Sequence, residues 1–366
     1  MADIVTTRAL NRALLERQWL TKRVEATVSE AVEHLVGMQA QHGDAPYFQL
    51  WCRLRKFRLE DLSTLLQHRR LVRIVTMRGT IHLVTAEDCL PLRDLVRSFL
   101  QRENKADKNG YLTSEQVEKV TAQAHQLLSA HPMNSADLAE HLQQQWPELP
   151  GRELVRVVRN SLPVLQTPPR GVWGESGPLA YALASEWLPD TVPTKADPHK
   201  TVLRYLRAFG PASVKDYQQW SGITRQHEVF QQLGDRLRTY RDPDGVTLFD
   251  VEEAPVPDEE VVVPRIAMAG PFDNVFLSHA DRTRVINDQA RAKLNRPNAV
   301  FPGVFLCDGF VAGEWVTDFK RGSATVTFRP YRTLHRSDRE LLEEEGRQLL
   351  RFSAEKVEKH TVEIMK

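Results

Sequence analysis

Three short amphipathic helices followed by two β-rich segments form a pattern that occurs three times along this chain. The first copy has helices near 28–36, 44–54 and 58–67 and β-rich segments at 71–77 and 80–84. Thr27 and Glu30 have the spacing of a capping box, in which the two side chains satisfy each other's free backbone donors at a helix start. Asp44 can cap the second helix. Helices followed by a two-stranded ribbon predict a winged-helix module.

The second and third copies follow the same order without obvious sequence identity. The second predicts helices over 114–129, 135–145 and 151–162, with strands at Val164–Gln166 and Gly171–Trp173. The third predicts helices over 199–208, 212–221 and 224–233, with strands at 237–241 and 246–249. Asp242-Pro-Asp-Gly245, between the last two strands, is a strong turn sequence. Three such units in tandem favour a monomer that grips a duplex over a symmetric dimer.

A smaller unit follows the proline-rich and acidic stretch Ala254–Pro264, which predicts a linker. It has strands over 299–307 and 310–317, joined by the favoured hairpin turn Asp308-Gly309, then a strand at 322–329 and a helix over 337–353. The sequence therefore predicts an α+β fold, in which three tandem winged-helix modules and a C-terminal β-hairpin unit form a DNA-binding clamp. The predicted domains are 1–107, 108–195, 196–253 and 254–366.

Composition argues against several classes of protein. No apolar stretch approaches the roughly 18 residues that a membrane span needs, and the N-terminus lacks a signal-peptide core. The three cysteines are far apart and predict neither a disulfide framework nor a zinc site. We therefore expect a cytoplasmic protein with no metal or other cofactor. Because the net charge is only +1, a nucleic-acid surface requires cations gathered on one face.

Arginines gather on the third helix and the turn of the second copy. Arg152, Arg156 and Arg159 lie on that helix, and Arg170 lies in the turn between its predicted strands. A winged-helix module presents its third helix to a groove and its wing to the DNA backbone, so these four are candidates for DNA contact. Two other interpretations stay open. The arginines can belong to a solvated helix face, and the module can be one that binds protein or is purely architectural.

Gln39-Ala40-Gln41, in the first copy, is the best candidate for chemistry. The sequence has no Gly-rich phosphate loop, no His-Glu-x-x-His, no Cys-x-x-Cys and no Gly-x-Ser-x-Gly elbow. Gln-x-Gln alone is a weak signal, since a glutamine pair after a helix often caps it or tethers a loop. On a helix the two side chains would point about 200° apart, whereas on an extended chain they share a face. If both act on one nucleotide, the helix must end near Met38.

Four segments, in the same order, resemble the AlkZ/YcaQ family of winged-helix DNA glycosylases: Gly37-Met-Gln-Ala-Gln41, Met77-Arg-Gly-Thr-Ile-His-Leu83, Phe272-Asp-Asn-Val-Phe-Leu-Ser-His-Ala-Asp-Arg282 and Gly303–Trp315. The resemblance covers nearly the whole chain. It implies that Gln39 and Gln41 are the catalytic pair of a Gln-φ-Gln motif, typical of the AlkZ-like branch, although Ala40 is small for the aliphatic position φ. That branch is associated with excision of N-alkylated purines and, in some members, with unhooking of interstrand crosslinks.

Two neutral amides are sufficient for such a substrate. A purine alkylated at N7 or N3 is already cationic and leaves without a general acid, so the barrier lies in the oxocarbenium-like sugar and in delivering water to C1′. An amide can orient that water and direct its carbonyl dipole at the developing cation. We expect a monofunctional DNA glycosylase. The alternatives are a non-enzymatic winged-helix transcriptional regulator and a protein that sequesters a toxin without touching DNA.

The remaining candidates for DNA contact are Arg78, Thr80, His82, His279, Arg282, Asp308 and Gly309. Thr80 and His82 share one side of the first ribbon, and a lone strand histidine is more often structural than chemical. His279 and Arg282 could hold a phosphate, and an ion pair with Asp281 is an equal alternative. The tip of the C-terminal hairpin is where an apolar wedge would enter a DNA groove, as in minor-groove binders.

Overall fold

The computed structural model describes residues 3–105, 112–191, 195–294 and 301–365. Within them the strands are β1 Asp3–Ile4, β2 Met38–Gln39, β3 Leu71–Val75, β4 Ile81–Thr85, β5 Met133–Asn134, β6 Val164–Gln166, β7 Ala180–Leu183, β8 Leu237–Arg241, β9 Thr247–Val251, β10 Ile266–Ala269, β11 Gly303–Cys307, β12 Phe310–Lys320, β13 Ser323–Pro330 and β14 Lys359–Ile364.

The helices in the same residues are α1 Thr7–Arg17, α2 Val28–His34, α3 Ala45–Trp51, α4 Leu59–Gln67, α5 Ala86–Leu95, α6 Arg97–Lys105, α7 Ser114–Ala130, α8 Ser135–Gln143, α9 Gly151–Ser161, α10 Ala184–Trp187, α11 Pro198–Phe209, α12 Val214–Ser221, α13 His227–Gln232, α14 Asp288–Leu294 and α15 Arg336–Ser353. Single 3-10 turns lie at Met77–Gly79, Gly234–Arg236 and Asn274–Phe276.

Side-chain caps fix where the short helices begin. The hydroxyl of Thr27 accepts from the backbone N–H of Glu30, and the Glu30 carboxylate accepts from the backbone N–H of Thr27, which is the predicted capping box at the start of α2. Ser213 and Asp216 make the same reciprocal arrangement at the start of α12. Asp44 stands before α3 but makes no side-chain capping bond. Such caps supply local stability that short helices lack on their own.

The first two copies of the pattern share one sheet. The first hairpin, β3–β4, and the second, β6–β7, meet edge to edge through β3 and β6, with Ile74 opposite Leu165. The full order is β2-β4-β3-β6-β7-β5. The short strand β2 therefore lies at one edge, beside β4, which places the residues that follow α2 against the first hairpin.

Two smaller sheets complete the fold. One has the order β1-β8-β9, with β1 parallel to β8, and the other has the order β10-β11-β12-β13-β14. One hydrophobic core extends through the first and third copies and the C-terminal unit, and a separate core lies under α7, α8 and α9. The boundaries at residues 107, 195 and 253 stay predictions.

The predicted α+β class is confirmed, and the three copies of helices and hairpins occur in the expected order. One predicted strand is wrong. Residues 171–173 form a turn, and the partner of β6 is β7. Pro168 and Pro169 lack backbone donors, and glycines recur at 171, 174 and 177, so this stretch is poorly suited to a strand. The Asp308-Gly309 turn forms as predicted, with both residues at positive φ (52° and 83°).

Candidate active site

The glutamine pair lies on extended chain directly after a helix end. α2 ends at His34, Val36 and Gly37 adopt positive φ (53° and 89°), and the chain then pairs with β4 as β2. A Cβ on Gly37 would lie 2.9 Å from Cγ1 of Val84, so this close approach requires glycine. The prediction that the helix ends before the motif is confirmed.

The two glutamines point away from the core into which their neighbours point. Met38 and Ala40 are fully buried, whereas Gln39 is 6% exposed and Gln41 is exposed. Gln39 lies opposite His82 in the sheet. Because side chains alternate along an extended chain, Gln39 and Gln41 share a side, with Gln39 buried and Gln41 exposed to solvent.

Arg78 holds the side-chain amide of Gln39. Its Nη2 donates to Oε1 of Gln39 at 2.9 Å, and its Nη1 donates to the backbone oxygen of Trp220 at 2.6 Å. Nη2 also lies 3.4 Å from Nε2 of His82. Arg78 is half-buried and makes no ion pair with a carboxylate of the described residues. Burial and the nearby Arg282 cation lower the pKa of Arg78 to about 10.

His82 is neutral, and its contacts fix its tautomer. Nδ1 lies 3.1 Å from the backbone oxygen of Thr80, which can only accept, so Nδ1 carries the proton and Nε2 accepts from Arg78. Burial and the Arg78 cation lower the pKa of His82 to about 3. His82 is therefore not a proton donor near neutral pH, and it supports the Arg78 side chain. The Thr80 hydroxyl donates to the backbone oxygen of Met77.

Gln41 is held more loosely than Gln39. Its Oε1 accepts a long hydrogen bond, 3.4 Å, from the backbone N–H of Ile81. Its side chain is exposed and makes no second hydrogen bond to the part of the chain that the structure describes. The amide of Gln41 is therefore free to turn toward a water molecule or a nucleotide.

Two residues that the sequence analysis missed fix the backbone of the motif. Nε2 of Gln49 donates to the backbone oxygens of Gln39 and Pro271, at 3.0 Å and 2.8 Å. Nδ2 of Asn274 donates to the backbone oxygen of Gly37 at 2.7 Å. Asn274 belongs to one of the family-like segments, but its partner is 237 positions away, so only the resemblance could have drawn attention to it.

Most side chains of the family-like segment 272–282 that make polar contacts are buried and bind other parts of the chain. Asp273 and Arg53 form a two-pronged ion pair with N–O distances of 2.7 and 2.8 Å, and both side chains are buried. His279 is 1% exposed, and its Nε2 lies 3.0 Å from a backbone oxygen at the end of α11. Burial lowers the pKa of His279 to about 3. Arg282 is half-buried and lies close enough to Arg78 to lower the pKa of that side chain.

The three arginines of α9 have different surroundings. The Arg152 side chain is 81% exposed. Arg156 is half-buried, and its Nε donates to the Glu153 carboxylate at 2.8 Å. Arg159 is half-buried beside Tyr181, and its cation opposes the effect of burial on the pKa of that phenol. Arg152 is thus the member of this helix with the most freedom to meet a phosphate.

Arg170 is exposed on the turn that follows β6. The next residue, Gly171, packs against Gly43, since a Cβ on Gly43 would lie 3.4 Å from Cα of Gly171. The buried Arg73 side chain lies beneath, with its Cδ 2.7 Å from where a Cβ of Gly171 would be. The turn that carries Arg170 therefore approaches the loop that follows Gln41.

The Asp308-Gly309 turn packs against the first helix. The Asp308 carboxylate accepts from Nη2 of Arg12 at 2.7 Å, and the backbone oxygen of Gly309 accepts from Nδ2 of Asn11 at 2.9 Å. The structure does not bring this turn together with the glutamine pair by any hydrogen bond among the described residues. The neighbouring turn between β12 and β13 is more open, and Phe319 beside it is 44% exposed.

Among residues 3–105, 112–191, 195–294 and 301–365, no three His, Cys, Asp or Glu side chains lie together as a metal site would require. No helix in these ranges is both long enough and apolar enough to cross a membrane. Cys52, Cys89 and Cys307 are buried free thiols.

A family model described as DNA glycosylase AlkZ-like matches residues 32–352, a range that contains all four family-like segments. The chain belongs to the AlkZ-like DNA glycosylase family. The prediction of a DNA glycosylase is confirmed, and the transcriptional regulator is not favoured.

A sequence relative and a solved structure, both from Streptomyces sahachiroi, are similar to this AlkZ-like chain. An interstrand DNA cross-link repair glycosylase is 24% identical over an alignment of 323 residues, and the match covers 82% of this chain and 85% of the relative. The solved structure of the DNA glycosylase AlkZ matches with a TM-score of 0.79 at 20% identity, over 99% of this chain and 100% of that one. At this identity the structural match shows that the two share their mixed α+β fold.

Proposed function

We propose that this glycosylase hydrolyses the N-glycosidic bond of cationic purines alkylated at N7 or N3 in double-stranded DNA. The observation that carries the proposal is the placement of Gln39 and Gln41 on one side of an extended chain, one fixed and one free to turn. Amides are too weakly basic to activate a poor substrate. They match a leaving group that already carries positive charge and needs no general acid.

In this mechanism, Gln41 orients the attacking water at C1′, because its loosely held carbonyl can turn to accept from that water. Gln39 contacts the nucleotide from the base of the site. Orientation of the water and preorganised dipoles near the oxocarbenium-like sugar each lower such barriers by several kcal/mol. The reaction needs no nucleophilic amine, so the enzyme is monofunctional and leaves an abasic site.

The proposal includes a DNA clamp built from three winged-helix modules and the C-terminal unit, working as a cytoplasmic monomer. Arg152 and Arg170 are exposed and Arg282 is half-buried, which suits them to phosphate contact. The interstrand cross-link repair relative supports a second substrate, an interstrand crosslink. We propose that it is one that joins two cationic N-alkylated purines. Unhooking it requires the same bond to be broken on one strand.

The test is incubation with a duplex that contains N7-methylguanine, followed by alkali to cleave abasic sites. We expect base release by the wild type and a loss of about 100-fold or more in Gln39→Ala and Gln41→Ala, the scale on which oxyanion-type groups act. Gln145→Ala, which changes an exposed glutamine beyond α8, should keep the wild-type rate. No release by the wild type, or equal release by all variants, would overturn the proposal.

A crosslinked duplex tests the second substrate separately. Denaturing electrophoresis should show the two strands separating after incubation with the wild type and remaining joined with Gln41→Ala. If methylguanine is released while crosslinked strands stay joined, the crosslink activity is excluded and the monoadduct activity stands.

A further inference from the structure

Arg78 has a backbone conformation that side-chain-bearing residues seldom adopt. Its φ and ψ are 56° and 16°, in the left-handed region where a Cβ is unfavourable. Such conformations persist only where the surroundings hold them, and they are concentrated at functional sites. Here the surroundings come from two parts of the chain, the end of α12 and the glutamine motif.

The contacts of Arg78 are all with neutral groups. Its hydrogen bonds reach the backbone oxygen of Trp220, the amide oxygen of Gln39 and the unprotonated Nε2 of His82. Trp220 lies in the last turn of α12, where backbone oxygens lack helical partners and a cation is favoured. None of the described carboxylates forms an ion pair with Arg78, so its guanidinium is held only by neutral acceptors.

The Arg78 guanidinium determines the orientation of the Gln39 side-chain amide. Arginine has only donors, so the Gln39 atom 2.9 Å from Nη2 has to be the carbonyl oxygen. The backbone of Gln39 is fixed as well, by the bond from Gln49. The NH₂ group of Gln39 therefore points away from Arg78, and it makes no hydrogen bond to any described residue.

We infer that Arg78 is a positioning residue that turns the Gln39 amide so that its N–H donors face the bound purine. This inference rests on the proposed function and assigns Gln39 its part in it. When the C1′–N9 bond breaks, its electron pair moves to the base, which leaves as a neutral alkylpurine. The water oxygen bonds to C1′ and releases one proton to solvent. Because the base gains electron density, a donor aimed at its acceptors stabilises the transition state more than the ground state.

The test is a double-mutant cycle of Arg78→Met and Gln39→Ala. The single-turnover rate on the N7-methylguanine duplex and the DNA dissociation constant over a salt series are measured for each protein. We expect Arg78→Met to slow base release by about 10- to 100-fold and to change the dissociation constant by less than about threefold. The double variant should be no slower than Gln39→Ala, because both changes remove one interaction.

Two further variants separate geometry from charge. Arg78→Lys keeps a positive charge but lacks the planar fork that reaches three acceptors, so it should stay slow. Arg336→Met changes an arginine on α15 whose side chain is 94% exposed, and it should keep the wild-type rate. Circular dichroism melts confirm folding, and Arg78→Lys carries the test if Arg78→Met does not fold.

A phosphate contact at Arg78 would give the opposite results. Arg78→Lys would then recover activity, and Arg78→Met would weaken DNA binding and reduce the salt slope by about one. Either result, or losses that multiply in the double variant, overturns the inference. If the wild type releases the base and Arg78→Met releases it at the same rate, the inference about Arg78 is overturned and the proposed function stands. If the wild type releases no base, both are overturned.

Discussion

Gly222 lies against the backbone of Arg78. A Cβ on Gly222 would be 3.2 Å from both N and Cα of Arg78. Gly222 follows the end of α12 at a φ of 85°, in the left-handed conformation that glycine favours at such a position. The end of α12 therefore contacts the Arg78 backbone, while Trp220 accepts from its guanidinium. In this way an element of the third copy fixes a residue of the first.

Substitution of Gly222 by alanine should disturb both the fold and the reaction. A left-handed alanine costs about 1–2 kcal/mol, and the contact with Arg78 adds about 1 kcal/mol of overpacking. We also expect base release to slow several-fold, because Arg78 has to move by a few tenths of an ångström. Urea unfolding and single-turnover assays measure the two effects.

The control is Gly245→Ala. Gly245 has a similar φ of 81°, but nothing lies within 4 Å of where its Cβ would be. Gly245→Ala should lower the unfolding free energy by the cost of a left-handed alanine, but it should not slow base release. Equal losses of stability and equal rates in the two variants would show that the Gly222 contact does not constrain Arg78.

Gln39→Glu distinguishes the two ends of the Gln39 amide. Glutamate has almost the same shape, but its ionised carboxylate accepts and cannot donate. The carboxylate should accept from Arg78 as a charge-assisted hydrogen bond, so the melting temperature should be kept or raised. Base release should fall about 100-fold, as in Gln39→Ala, because the N–H donors are gone.

Gln41→Glu is the comparison for that variant. Gln41 needs only an acceptor for water in the proposed mechanism, and a carboxylate supplies one, so this variant should lose less activity than Gln39→Glu. A near wild-type rate for Gln39→Glu would show that the carbonyl end of Gln39, and not its N–H groups, meets the substrate.

Local chemistry in the sequence predicts much of this fold. The capping box of Thr27 and Glu30 and the Asp308-Gly309 turn form as expected, because each depends on neighbours a few positions apart. The extended chain at Gln39 follows from the glycine at position 37, which permits the sharp exit from α2. The strand expected at 171–173 is wrong because two prolines and several glycines outweigh its apolar residues.

Long-range contacts explain what the sequence could not predict. The side chain of Arg78 meets Gln39 across 39 positions, and Asn274 reaches Gly37 across 237. The edge pairing of β3 with β6 joins two copies into one sheet, and no turn or periodicity marks it. The resemblance drew attention to Arg78 as a candidate for DNA contact. Only the distances show that its guanidinium also holds the glutamine.

The stability of the protein should fall as the pH falls through the mildly acidic range, in part because of His82. Burial and the Arg78 cation lower the pKa of His82 to about 3, whereas an unfolded histidine titrates near 6.5. Below about pH 6.5 the unfolded state therefore binds a proton that the folded state does not, until about pH 3. Each pH unit in this window should cost about 1 kcal/mol for this group.

Urea unfolding of the wild type and His82→Gln at several values between pH 7 and pH 4 measures this contribution. The variant lacks the titrating group, so its unfolding free energy should fall less steeply with acid than that of the wild type. Equal slopes would show that His82 takes up its proton at the same pH in the folded and the unfolded protein, so that burial and Arg78 do not lower its pKa.

Exposed arginines on the second copy should act on DNA affinity and not on the chemical step. Arg152 and Arg170 are both exposed, on α9 and on the turn after β6. If each meets a phosphate, Arg152→Met and Arg170→Met should each weaken binding and reduce the slope of log affinity against log salt by about one. At saturating enzyme the rate of base release should stay near the wild-type value, because neither side chain contacts the glutamine pair.

The comparison for these two is Arg336→Met, which removes an exposed cation from α15. It should leave the salt slope unchanged, since Arg336 pairs with Glu340 on its own helix and is not a candidate for DNA contact. If all three variants reduce the slope equally, binding depends on overall charge and not on a surface formed by the second copy. If Arg152→Met and Arg170→Met slow base release at saturation, these residues position the nucleotide as well as the duplex.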